Sequence, residues 1–154
     1  MGLDMYLTAE RYMSKYFDAE DSAKITAINE IFNIAGEEDG DYGAQSVIFK
    51  VAYWRKANAI HQWFVDNVQE GVDECQKAYV SREQLQTLLD LCKEIVASPK
   101  KGSKLLPTAN GFFFGSTEYD DYYMQDITYT VERLEKILKD SALEKSDFYY
   151  QSSW

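Results

Sequence analysis

The chain has 154 residues, enough for one domain with a sizeable core, and its 45% hydrophobic share excludes wholesale disorder. Sixteen Lys and Arg against 26 Asp and Glu leave a net charge of −10, a field that repels phosphate and argues against direct binding to nucleic acid or to an anionic membrane. Aromatic residues reach an unusual 15%, with 12 Tyr, 8 Phe and 3 Trp, the side chains that dominate cores and are also the preferred anchors of binding surfaces.

At the N-terminus, Leu3, Met5 and Leu7 alternate with Asp4 and Tyr6, the period of a half-buried strand that extends towards Met13. The same stretch has neither the basic nor the apolar region of a secretory signal. A helix is predicted from Asp18 or Ser22 to Ile34, with Ile25, Ile28, Ile31 and Phe32 on one face and Gly36 as its stop. The polar turn EEDGDYG follows at 37–43. Residues 45–54, QSVIFKVAYW, are rich in β-branched and aromatic types and read as the central strand.

From Arg55 the period becomes helical, with Ala57, Ile60, Phe64 and Val68 on one side and a stop at Gly71. An extended piece at 77–80 leads into SREQ, where Ser81 and Gln84 form a capping box for the next helix. Its stripe is Leu85, Leu88, Leu89, Cys92, Ile95 and Val96. Residues 98–111 read as a loop holding the cations Lys100, Lys101 and Lys104. Ser116 or Thr117 is expected to cap a last helix running to about Asp140, with Ile127, Val131, Leu134 and Leu138 inward. The tail 148–154 reads as a closing strand paired with the N-terminal strand or its neighbour, with Trp154 at least half buried. No run of residues approaches the roughly 20 apolar positions of a membrane helix. Cys75 and Cys92 are too few for a disulfide scaffold and read as reduced thiols, which places the protein in the cytoplasm. The order β-α-β-α-β-α-α-β predicts one α+β domain over 1–154. In it, about four helices pack on a small, partly antiparallel sheet, and 18–43 is a candidate acidic insertion.

Several stretches carry a resemblance: MGLDMYL, YWRKANAIHQWFV, YVSREQLQTLLDLCKE, LLPTANGFFFGSTEYDDYY and the Trp-ending tail. In this order the chain resembles a group of small proteins carried by tailed phages and prophages. The resemblance covers most of the chain apart from 18–41. It implies a phage or prophage origin and expression inside a bacterial host cell, and it implies no activity.

Four constellations are candidates for function. His61 is the only histidine, and imidazole is the commonest general base near neutral pH. It is the candidate catalytic residue of a small enzyme, with Asn58, Glu118 or Asp121 beside it; the alternative is a histidine hydrogen-bonded within the fold. Segment 18–41 holds eight carboxylates against Lys24 alone. An EF-hand loop started at Glu37 needs Gly and Glu where Tyr42 and Ile48 stand, so no metal site is expected. The segment instead reads as an anionic surface for a basic partner, through Asp18, Glu20, Asp21, Glu37, Glu38, Asp39 and Asp41. Three consecutive Phe cannot all face one core, so Phe113, or the pair Phe112 and Phe114, is expected to be presented elsewhere, and Phe113, Tyr119 and Tyr122 are the candidate surface aromatics. The three lysines of 98–111 read as a solvated loop.

These features predict a non-catalytic interaction protein that needs no cofactor. Its partner is a protein with a basic face, the most concrete case being a nuclease complex of host defence whose nucleic-acid groove it occludes. A small enzyme built on His61 and a phage assembly accessory are the alternatives. Monomer and dimer stay open.

Overall fold

The computed structural model describes residues 2–35, 42–111 and 113–154. The fold is α+β. Strand β1 (Asp4–Tyr12) is followed by α1 (Ala19–Ile31), β2 (Ser46–Arg55), α2 (Asn58–Asn67), β3 (Ala78–Val80), α3 (Arg82–Ala97), the short α4 (Gly102–Leu105), α5 (Asp121–Lys139) and β4 (Asp147–Ser153). The strands form one sheet in the order β2-β1-β4-β3. The tail is therefore an inner strand. It runs antiparallel to β3, with Ala78 opposite Tyr150 and Val80 opposite Phe148.

The chain separates into two compact units, one of Met1–Ala9 with Lys50–Trp154 and one of Glu10–Phe49. The larger unit holds the core. Alternation along β1 puts Leu3, Met5, Leu7 and Ala9 inward, and β4 adds Phe148 and Tyr150. Onto these pack Ile60 and Phe64 of α2, Leu85, Leu88, Leu89, Cys92 and Ile95 of α3, and Ile127 and Leu134 of α5. The Phe64 and Tyr150 rings stack 3.9 Å apart at 6°. Burial pushes the Cys92 thiol up to about 12, so it behaves as a small hydrophobe. Val131, expected in this core, is only half-buried.

Local chemistry explains most element ends. Ser81 Oγ accepts from Gln84 N, and Gln84 Oε1 accepts from Ser81 N, so the capping box forms as predicted. The last helix starts later than expected: Asp120, not Ser116 or Thr117, is the cap, accepting from Tyr123 N at 3.0 Å. Ser116 Oγ instead accepts from Glu118 N in the preceding loop. Residues 98–111 contain a 3-10 turn at Pro99–Lys101 and helix α4, both missed by a reading that takes Pro and Gly as loop marks. Strand β2 lies at the sheet edge rather than its centre, and only Ala52 and Trp54 of it are buried. Its β-branched and aromatic residues mark extended backbone, not burial on two faces.

The smaller unit is organised by polar contacts. Asp18 caps α1, accepting from Glu20 N at 2.9 Å. Arg11 donates to Asp21 at 2.5 Å, and Asp21 is the one buried residue of α1. Asn29 Oδ1 accepts from Ala44 N, and Met13 N donates to the Gln45 carbonyl. The expected stop at Gly36 lies outside the described residues.

Candidate functional site

His61 sits on α2 with no exposed surface. Its Nε2 is 3.0 Å from Asp73 Oδ2 and its Nδ1 is 2.6 Å from Tyr150 Oη. A carboxylate only accepts, so Nε2–H donates to Asp73 and Nδ1 accepts from the Tyr150 hydroxyl. Burial first, and then the nearby Asp73, push the Tyr150 phenol well above its ordinary value, which keeps that hydroxyl a donor. The other Asp73 oxygen accepts from Trp154 Nε1–H at 3.1 Å. The chain of contacts ties helix α2, the loop before β3 and the C-terminal strand together. Both ring nitrogens are spent inside the fold, and His61 lines neither of the two cavities described below.

A cavity of about 440 Å³ opens instead where the end of β2, the start of α2, the loop 108–118 and the start of α5 meet. Asn58 builds it. Its side-chain amide donates to the carbonyls of Phe114 (3.0 Å) and Ser116 (2.8 Å), while its Oδ1 accepts from Ala109 N (3.0 Å). One buried side chain thus pins the loop at three points. Thr108 adds two more bonds, from its hydroxyl to the Thr117 carbonyl and from its N–H to the Tyr119 hydroxyl. Lys56 and Gly115 both adopt positive φ (60° and 84°) where they meet, and a Cβ on Gly115 would lie 3.2 Å from Lys56 Cβ. The positive φ favours glycine at 115, and the tight approach to Lys56 adds to that preference.

The cavity walls combine Ala57, Ile60 and Ile127 with Tyr122, Tyr123, Glu118, Asp120 and Asp126. Burial, followed by repulsion from Asp120, raises the Asp126 carboxyl from 3.8 to about 6. Among the described residues its carboxyl has no hydrogen-bond or ion-pair partner. Tyr123 donates its hydroxyl to the Leu106 carbonyl at 2.9 Å, and burial raises its phenol too.

Of the residues singled out in the sequence, Asn58 and Glu118 reach this cavity and His61 does not. Asp121 is the exposed first residue of α5 and lies outside the cavity lining. Tyr122 lines the cavity and is 74% exposed; Tyr119 is exposed and packs edge-on against Tyr123; Phe113 is half-buried. Asp18 and Glu20 act at the start of α1, where Glu20 pairs with Lys24, and Asp21 is buried against Arg11. Glu37, Glu38, Asp39 and Asp41 lie outside the described residues. Among the described residues no group of three His, Cys, Asp or Glu side chains could hold a metal ion, and no helix is long and apolar enough to cross a membrane. Asp126 went unnoticed in the sequence. Its signal was a carboxylate set three residues after Tyr123 and next to Ile127, at the edge of the inward stripe of α5.

No family model matches the chain, and no curated protein or solved structure does either.

Proposed function

We propose that this chain is a non-catalytic interaction protein, encoded by a phage or prophage, whose Glu10–Phe49 unit engages a partner protein with a basic and partly apolar surface. The carrying observation is the composition of that unit's exposed surface. Tyr12, Tyr16, Phe17, Ile31, Phe32, Tyr42, Ile48 and Phe49 are all exposed, Phe17 at 91%. Helix α1 turns none of its isoleucines into a core. Large apolar side chains left exposed in this number within one small unit are the usual material of a protein–protein interface. The same unit holds nine carboxylate residues against three cations, which favours a basic partner and a fast encounter. A cavity of about 390 Å³ between Tyr12, Met13, Ile25, Asn29 and Tyr42 offers a recess for an anchoring side chain. The resemblance to phage proteins makes a host defence nuclease complex the first partner to test, with its nucleic-acid groove as the basic face.

The test uses the full chain and a purified nuclease complex from the bacterial host. Wild type is expected to bind and to slow cleavage. Reversing Glu37, Glu38, Asp39 and Asp41 to Lys is expected to slow association more than it speeds dissociation. Rising salt should weaken the wild-type complex, because the screening length shortens from roughly 8 Å at physiological ionic strength to about 3 Å at 1 M. Phe17→Ser with Phe32→Ser should speed dissociation. Binding that survives both sets of changes would rule out this unit as the interface.

A further inference from the structure

We propose that the cavity beside α5 binds a small organic cation, a primary ammonium on a compact apolar body, with Asp126 as its counter-ion. This site belongs to the larger unit and is independent of the interface proposed above.

The argument starts from size and wall chemistry. About 440 Å³ is within the range of small-ligand sites, and the larger share of the wall is apolar. An apolar body therefore has somewhere to go. The polar part is set by charge. The titratable and charged groups that line the cavity with Asp126 are Glu118, Asp120, Tyr122 and Tyr123 from its own side, and Arg55 and Lys56 from the β2–α2 junction. Both cations also line the cavity, and each reaches residues on or before β1 as well. The Arg55 guanidinium lies 3.9 Å from Asp4, a residue of β1. The Lys56 stem runs past Gly115 to Gly2, where an added Cβ would meet Lys56 Cε at 3.2 Å. Asp120 commits one oxygen to capping α5.

Asp126 is left as a carboxyl against apolar walls, facing a like charge, with no partner among the described residues. A neutral ligand leaves it so, and an anion adds a further repulsion. A ligand ammonium removes both penalties at once, and the Tyr122 and Tyr123 rings add a cation–π surface. The loop that closes the cavity is already pinned by Asn58, so little ordering is needed on binding.

The experiment is an amide NMR titration of the full chain with benzylamine, benzyl alcohol and benzoate, which share a ring and differ in charge. Benzylamine is expected to shift the amides of residues 55–60 and 121–127, with benzyl alcohol weaker and benzoate without effect. Because a proton competes for the same carboxyl, benzylamine affinity should fall about tenfold between pH 7.5 and pH 5. Asp126→Asn should abolish both the preference for the amine and its pH dependence. Glu135→Gln, which removes a charge elsewhere on the same helix, should preserve them. Equal binding of the amine and the alcohol would overturn the proposal. So would a pH-independent affinity in the wild type, unchanged binding by Asp126→Asn, or no shift of these amides at millimolar benzylamine.

Discussion

His61 and Asp126 are both ionisable side chains set among apolar neighbours in the same unit, and they end in opposite situations. His61 has both nitrogens occupied, one by Tyr150 and one by Asp73, and no surface. The Asp126 carboxyl has no partner among the described residues and borders open volume. Residue type would rank them the other way, because histidine is the usual catalyst. What separates a structural polar group from a reactive one is whether its hydrogen-bonding capacity is spent within the fold.

The difference can be broken first at its strong end. His61→Ala removes a buried ring and strands the Tyr150 hydroxyl and one Asp73 oxygen, so a loss of about 3–5 kcal/mol is expected from the cavity and the unmade bonds together. Denaturant unfolding reads this directly; a loss below 1 kcal/mol would mean that the network does not hold the tail. Asp126→Asn should act in the opposite sense. Its raised carboxyl means that the folded chain binds the proton more tightly than the unfolded one. The charged form therefore opposes folding above about pH 6, and the opposition fades as pH falls from about 6 to 3.8. Asp126→Asn should stabilise the protein at pH 7.5 by on the order of 1 kcal/mol, allowing for solvent screening at the cavity mouth, with the gain gone below pH 4. Thermal scans at both pH values check it. The smallest effect is expected at Phe17, which is almost wholly exposed. Phe17→Ser should change stability by less than about 0.5 kcal/mol while it weakens partner binding. A larger loss would show that the side chain serves the fold rather than an interface.

Much of the fold was legible where the signal is short-ranged. The Ser81–Gln84 box, the Asp18 cap, the alternation from Leu3 to Ala9 and the stripe from Leu85 to Ile95 each depend on residues a few positions apart. The errors concern distance along the chain. Whether 46–55 is central or edge depends on which strand pairs with it, and the strand beside β1 on its other flank is the tail, more than 130 residues later in the chain. The start of α5 was misplaced because Ser116, Thr117 and Asp120 are all good caps. What decides among them is the loop geometry imposed by Asn58, 58 residues before Ser116. The candidate site was half legible for the same reason. Asn58 and Glu118 stood out by type, whereas Asp126 matters only once the 108–118 loop is folded over α5's first turns.

The two cysteines give the fold a built-in clock. Cys75 is partly accessible, while Cys92 is sealed on the inner face of α3, where burial pushes its thiol up to about 12. A thiol reagent meets Cys92 only when the helix layer opens, so the rate of the second alkylation counts openings of the larger unit rather than reactivity of the sulfur. The lag between first and second labels thus converts a buried side chain into a measure of how often the core of an intact molecule breathes.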